Sequence, residues 1–316
     1  MKKTKIIIDA DTGIDDAVAI LYGLTCGKAD IVGITTVFGN IPVEQATDNT
    51  LRILKLAGHE HVIPVSEGAD RPLVRDVKRF ATNVHGHNGI GDVELPPSSQ
   101  QKVPESAADF IVRTASELGG ELVIVALGGL TNLAHALKKD PELPSKIKHL
   151  YIMGGAVSVP GNVTPVSEAN MWADPEAADY VIQSGLPITL VGLDVTMRTL
   201  LHQSQLDWLE RSCRLENREI VSFINRSMQY FFDYYRESND FHACAPMHDP
   251  LTMLVAVEPG VVRTQTMNLS VECEGQHCAG MTVADLRRRP VVGSPVRVCV
   301  DVFEERAVEL LLEVFV

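Results

Sequence analysis

The chain is short of positive charge. Its 316 residues carry 28 Lys and Arg against 41 Asp and Glu, a formal net charge of −13. Without a broad basic footprint, nucleic acid and anionic membrane surfaces are poor partners. Long apolar runs are missing as well. The first, Ile6-Ile7-Ile8, follows a lysine-bearing start and stops at Asp9, too short for a signal-peptide core or a membrane-spanning helix. The expectation is a cytoplasmic protein with no membrane partner. Six cysteines, at 26, 213, 244, 273, 278 and 299, form no CxxC pair. Cys273 and Cys278 have His277 beside them, but no second ligand pair stands at zinc spacing, so reduced thiols are expected. Pro/Ser-rich linkers, low-complexity tracts and repeats are also absent, so residues 1–316 read as one domain.

What is present is a strand–turn–helix alternation. Apolar runs at Lys5–Asp9, Ile31–Val37, Glu121–Ala126, His149–Met153 and Pro187–Gly192 read as strands. Helical patterns lie at Asp15–Thr25, Val43–Ala57, Glu105–Leu118, Thr131–Lys138 and Pro175–Gln183. Strands with few charges suit a parallel sheet covered on both faces. The predicted fold class is α/β: an open, mainly parallel, Rossmann-like sheet with helices on both faces. After Gln203 come two helical patterns, near Ser204–Cys213 and Glu216–Arg236, then an aromatic and polar stretch, Tyr230 to His248. β segments at Thr266–Glu272, Gly280–Leu286 and Val296–Val302 and a last helix, Glu304–Val314, close the chain.

The polar clusters fall at the carboxyl ends of the predicted strands, the edge where open α/β sheets bind ligands. Four carboxylates stand in Asp9-Ala10-Asp11-Thr12-Gly13-Ile14-Asp15-Asp16, directly after the first strand. Crowded in a partly buried turn they would repel one another, and a divalent cation resolves that. With oxygen donors and no adjacent His or Cys, Ca²⁺ or Mg²⁺ fits better than Zn²⁺. An EF-hand starting at Asp9 fails, because its twelfth position is Ile20. A phosphatase of the haloacid-dehalogenase type matches Asp-x-Asp but meets Gly13 at the fifth residue. An acidic helix start is the plain structural alternative.

A second constellation runs from Met153-Gly154-Gly155-Ala156 through Asn162, Glu168 and Asn170 to Asp174-Pro175. Asn and Glu offer paired donors and acceptors of the kind that read sugar hydroxyls. Without further support it is also a polar loop with Asx-turns. A third, His248-Asp249-Pro250, sets an imidazole beside a carboxylate, and its plain reading is a helix cap with Asp at N-cap and Pro at N1. In the aromatic stretch, Tyr234 and His242 are candidate contacts for a planar ligand, as part of a helix ending in a loop that folds over the site.

Together with Gly128-Gly129-Leu130-Thr131-Asn132, these blocks occur in the order found in the inosine-uridine-preferring nucleoside hydrolases, and the chain resembles that family from residue 5 to about 255. The resemblance implies hydrolysis of the N-glycosidic bond of ribonucleosides, with a nucleoside as the small-molecule partner. It implies a Ca²⁺ site built from Asp11, Asp16, Asp249 and the carbonyl of Leu127. Asp15, Asn40, Asn162, Glu168 and Asn170 look like ribose contacts, with Met153 on the same substrate side. Asp11 looks like the general base, His248 like the acid that assists the leaving base, and His85 like a neighbour of the nucleobase. A homodimer or homotetramer is implied too. The sequence departs from the family pattern at Thr12, where Pro is common, at Asn88, where Asp is common, and at Ala169, where an aromatic is frequent. A Ca²⁺-dependent nucleoside- or sugar-binding protein without turnover and a phosphohydrolase with an Asp nucleophile are the competing readings.

Overall fold

The computed structural model describes residues 2–77 and 79–316. Its main sheet has nine strands in the order β10-β9-β11-β6-β5-β4-β1-β2-β3. These are β1 Thr4–Ala10, β2 Ala29–Thr36, β3 Val65–Glu67, β4 Leu122–Ala126, β5 Ile147–Met153, β6 Ile188–Val191, β9 Val262–Val271, β10 Thr282–Asp285 and β11 Ser294–Val302. From β3 to β6, and on to β11, neighbours run parallel; β9 and β10 add an antiparallel edge. Two short strands, β7 Leu200–His202 and β8 Cys244–Pro246, form a separate antiparallel pair.

Side-chain alternation divides the apolar strands between two cores. Ile6, Ile8, Val123 and Val125 join the core on one face. Ile7, Leu122, Ile124 and Ala126 join the core on the other. Both faces of β1 and β4 are therefore dry, which is why their sequences are continuously apolar and not alternating. Each buried Ile, Leu or Val among them contributes roughly 1.5–3 kcal/mol.

The chain lays down β1, β2 and β3 in one direction and then returns to place β4 on the other side of β1. The order reverses between β1 and β4, and the carboxyl ends of the strands there open onto a crevice. The expected helices are present with shifted ends. The helix Ala107–Leu118 is capped by Ser106 and closed by Gly119 in the left-handed region, and Pro175–Ile182 starts from Asp174 as N-cap.

Several elements depart from the sequence reading. Strand β3 and the short helices Thr82–His85, Ala169–Ala173 and Leu193–Thr196 lack enough residues to show a period. The aromatic stretch continues as helix from Arg218 to Asn239, then turns through β8 into the helix His248–Val257. Asp249 is not the N-cap of that helix, since His248 is already helical; Pro250 is tolerated because the first turn needs no intrahelical donor. All six cysteines are unpaired. Among the described residues no helix is long and apolar enough to cross a membrane.

Candidate active site

The carboxyl ends of β1, β2, β4, β5 and β6 surround a cavity of about 600 Å³. Its floor is made by the turn after β1, the first turn of the helix Ile14–Thr25 and the start of the helix His248–Val257. Asp11, Asp15, Asp16 and Asp249 are all buried there. Carboxylate oxygens of Asp15, Asp16 and Asp249 lie within 4.8 Å of one another. Asp11 stands beside them, and its charge acts on Asp249 as Asp16 acts on it.

The backbone orients these groups. Oδ2 of Asp11 accepts the Asn40 N–H at 2.7 Å. Oδ2 of Asp16 accepts Gly13 N–H at 2.8 Å and the Asn40 side-chain amide at 3.2 Å. The remaining oxygens, Oδ1 of Asp11 and Oδ1 of Asp16, are buried without a hydrogen-bond partner. Burial raises all four carboxyls, and repulsion from the neighbouring carboxylates adds to it at Asp11, Asp15 and Asp249: Asp15 is pushed up to about 8, Asp11 and Asp249 go well above the usual range, and Asp16 is raised by burial against the hydrogen bonds it accepts. Buried charges of one sign with unpartnered oxygens call for a cation. The donors are all oxygen, so the residues present fit a divalent cation that takes carboxylates.

Asp9 stands apart. Its Oδ1 accepts Thr35 Oγ1 at 2.5 Å and Asn132 Nδ2 at 2.8 Å, which ties β1 to β2 and to the start of the helix Thr131–Lys139 that follows β4. Burial still pushes it up to about 6.

Leu127 lines the cavity, and its carbonyl accepts the Asn170 Nδ2 at 2.6 Å. Asn170 Nδ2 also reaches the carbonyl of Met153 at 3.1 Å. Glu168 caps its short helix, with both carboxylate oxygens on Asn170 N–H and one on Gly155 and Met171 N–H. Burial raises its carboxyl and these amides hold it down. Asn162 accepts the Ala169 N–H at 3.0 Å. Met153, Asn162, Glu168 and Asn170 line the cavity, as does Asn40 from the turn after β2, so the polar groups expected to face a sugar all reach it.

Another part of the wall is aromatic and imidazole, with His85 against Phe231. His85 Nδ1 accepts the Ile14 N–H at 3.1 Å and lies 3.9 Å from Asp15. Burial lowers this imidazole to about 3, so it is neutral and carries its proton on Nε2. His248 has both ring nitrogens engaged: Nε2 with Tyr235 Oη at 2.7 Å and Nδ1 with Thr196 Oγ1 at 2.8 Å. Burial lowers it to about 4. An imidazolium ready to donate directly is therefore not what this wall presents; it presents a bonded chain from Tyr235 through His248 to Thr196. Tyr234 lines the cavity edge-on to Tyr235. His242 does not reach the wall: it is exposed and paired with Asp240, because the chain after Asn239 turns outward through Asp240 and Ala243, both at positive φ.

Sequence reasoning missed Tyr235, Thr196 and Asp194. Tyr235 was hidden among apolar aromatics, whereas Asp194 and Thr196 follow β6 and carried the signal of polar residues at a strand's carboxyl end.

A family model described as "Inosine-uridine preferring nucleoside hydrolase" matches residues 6–309. The uridine nucleosidase 1 of Arabidopsis thaliana is 41% identical over 98% of this chain and 92% of its own length. Among solved structures, a plant nucleoside hydrolase superposes with a TM-score of 0.93 at 36% identity over 99% of both chains. A purine-preferring ribonucleoside hydrolase from Gardnerella vaginalis superposes with a TM-score of 0.91 at 35% identity over 98% of both chains.

Proposed function

The chain belongs to the inosine-uridine preferring nucleoside hydrolase family, and on that footing we propose how its own residues split ribonucleosides into ribose and free base. The observation that carries the proposal is the floor of buried carboxylates with two unpartnered oxygens, Oδ1 of Asp11 and Oδ1 of Asp16. Asp11, Asp15, Asp16 and Asp249, with the Leu127 carbonyl, would hold a Ca²⁺ ion. When bound, the ion would supply Lewis-acid polarisation of water and coordination positions for ribose hydroxyls.

Asp11 is the general base. Its Oδ2 is held by the Asn40 N–H, and Oδ1, which has no protein partner, would both border the ion and take a proton from the attacking water. The water oxygen bonds to C1′ as the bond from C1′ to the base nitrogen breaks, and the electron pair leaves with the base. Positive charge builds on the ring in the transition state. Glu168 and the acidic floor face that charge and stabilise it. Asn162, Glu168 and Asn170 fix the sugar, which replaces an entropic cost during reaction with one met on binding. The departing base takes a proton from the Tyr235–His248 pair, with the neutral His85 as a further donor along the same wall.

Uridine is the proposed preferred substrate, on the strength of the 41% identical uridine nucleosidase. By resemblance to the family the enzyme is also proposed to be a homodimer or homotetramer, which light scattering would read. The test of function is release of reducing sugar from uridine, cytidine, inosine and adenosine, with and without EDTA. No ribose from any of them overturns the reading, and a higher kcat/KM for inosine than for uridine overturns the base preference alone.

A further inference from the structure

Strand β6 ends at Val191 and turns at Gly192 into the short helix Leu193–Thr196. The segment leaving β5 runs beside it. Gly154 N–H reaches the Val191 carbonyl at 3.3 Å, and Leu193 N–H reaches the Gly155 carbonyl at 2.9 Å. A Cβ at Gly192 would sit 2.8 Å from that Gly155 carbonyl, and Gly155 itself holds φ +81°. A side chain on Gly192 would thus block the approach, while Gly155 supplies the left-handed backbone the turn needs.

Asp194 completes the seam. Its Oδ2 accepts the Val157 N–H at 2.9 Å and its Oδ1 accepts the Ser158 N–H at 2.8 Å. A carboxylate with one oxygen for each of two successive amides is a charge-assisted pair of bonds, stronger than neutral ones. Among the described residues Asp194 forms no ion pair, so these amides are what it serves. The next backbone hydrogen bond along the chain is from Gly161 to Pro165. Between these anchors lie Val159 and Pro160, which line the cavity together with Asn162 just beyond. Asn162 in turn holds the Ala169 N–H and with it the start of the helix bearing Asn170.

We propose that Asp194 is a positioning residue that holds the rim segment from Val157 to Asn162 closed over the ribose, and so sets the affinity for the sugar. This rests on the reading of Asn162, Glu168 and Asn170 as sugar contacts. Without the carboxylate, two adjacent amides lose their anion and the rim samples open positions. The free energy of ordering it is then drawn from substrate binding. The reacting groups, Asp11 after β1, Tyr235 on the helix Arg218–Asn239 and His248 on the helix His248–Val257, stay in place. Loss of binding shared by ground and transition states raises KM and leaves kcat.

The experiment compares the wild type with Asp194→Asn and Asp194→Ala, the former keeping the shape and one acceptor. Expected is a KM for uridine raised about tenfold or more with kcat within about threefold. Product inhibition by ribose weakens by the same factor, while inhibition by free uracil is unchanged. Ribose affinity is also measured directly by titration calorimetry, which decides the role of Asp194 whether or not uridine turns over; wild-type turnover tests the hydrolase reading separately. Unchanged ribose affinity in both variants overturns the proposal. So does equal weakening of ribose and uracil together with a fall in kcat and melting temperature, since that marks a staple of the fold and not a device for the sugar.

Discussion

Gly39 presses its bare Cα against Oδ2 of Asp11, so closely that any Cβ would overlap the carboxylate. On the other side, a Cβ at Gly128 would stand 2.9 Å from Oδ1. The Asp11 carboxylate is thus clamped between the turns after β2 and β4, with the Asn40 N–H fixing its rotation. Gly39→Ala must push the carboxylate aside by a fraction of an ångström to an ångström. A displacement of that size costs about 100-fold in kcat/KM where a general base has to meet an oriented water. Because β1 and β2 keep their ladder, circular dichroism should be unchanged. Steady-state kinetics at wild-type levels would show that the clamp has slack and that Asp11 needs no such confinement.

Tyr235 and His248 are joined by a hydrogen bond in the lining of the cavity. Tyr235→Phe keeps the ring that packs on Phe231 and Phe241 and removes only the hydroxyl 2.7 Å from His248 Nε2. Losing one buried hydrogen bond costs about 1 kcal/mol of stability. If the pair protonates the leaving base, kcat for uridine falls by about 100-fold, the lower end for acid catalysis. A riboside with nitrophenolate as leaving group needs no proton and should lose far less. Equal losses on both substrates would remove the pair from proton transfer.

Most of the floor was readable before the fold was known because Asp11, Asp15 and Asp16 lie close together in sequence just after one apolar strand, and their repulsion asks for a cation; Asp249 joins them only through the fold, and Asp9, counted with them in sequence, turns to Thr35 and Asn132 instead. The sheet was readable for the same reason, since β1 and β4 are apolar on both faces. What escaped were relationships made by the fold. Thr196 becomes a partner of His248 only because the turn after β6 meets the start of a helix that begins 52 positions later. His248 looked like a titrating acid in sequence, but burial and two bonded nitrogens hold it neutral. His242 shares an aromatic stretch with Tyr234, yet the positive φ at Asp240 sends it into solvent. Short elements such as β3, three residues long, offer too few positions for any periodicity.

The carboxylate floor predicts that cation and stability are linked. A ligand that binds the native state alone stabilises it by RT ln(1 + [L]/Kd), about 2.7 kcal/mol at a hundredfold excess over Kd. Stripping with EDTA should therefore lower the melting temperature by several degrees and abolish ribose release. Adding Ca²⁺ should restore both, and Mg²⁺, which holds its waters more tightly, should restore less. Asp16→Asn should lower the apparent Ca²⁺ affinity while raising the melting temperature of the stripped protein, since it removes one of the repelling buried charges. A melting temperature indifferent to EDTA and Ca²⁺ would mean that the floor holds no such ion.

His149 supplies a pH dependence far from the reaction. It sits on β5 with Nε2 on Thr189 Oγ1 at 2.8 Å, Tyr151 against its ring and Arg297 facing Nδ1. Burial first, and the Arg297 charge second, lower it to about 4, against about 6.5 in the unfolded chain. Between those values the unfolded chain binds the proton that the native state refuses, so stability rises with pH across this window. The contribution is fully present above about pH 6.5 and is lost progressively as pH falls toward 4. His149→Gln can keep a bond to Thr189 and has nothing to titrate. Measured at saturating Ca²⁺, the wild-type melting temperature should drop more between pH 7 and pH 4.5 than that of His149→Gln. Parallel curves for the two proteins would show that His149 takes up its proton equally well folded and unfolded.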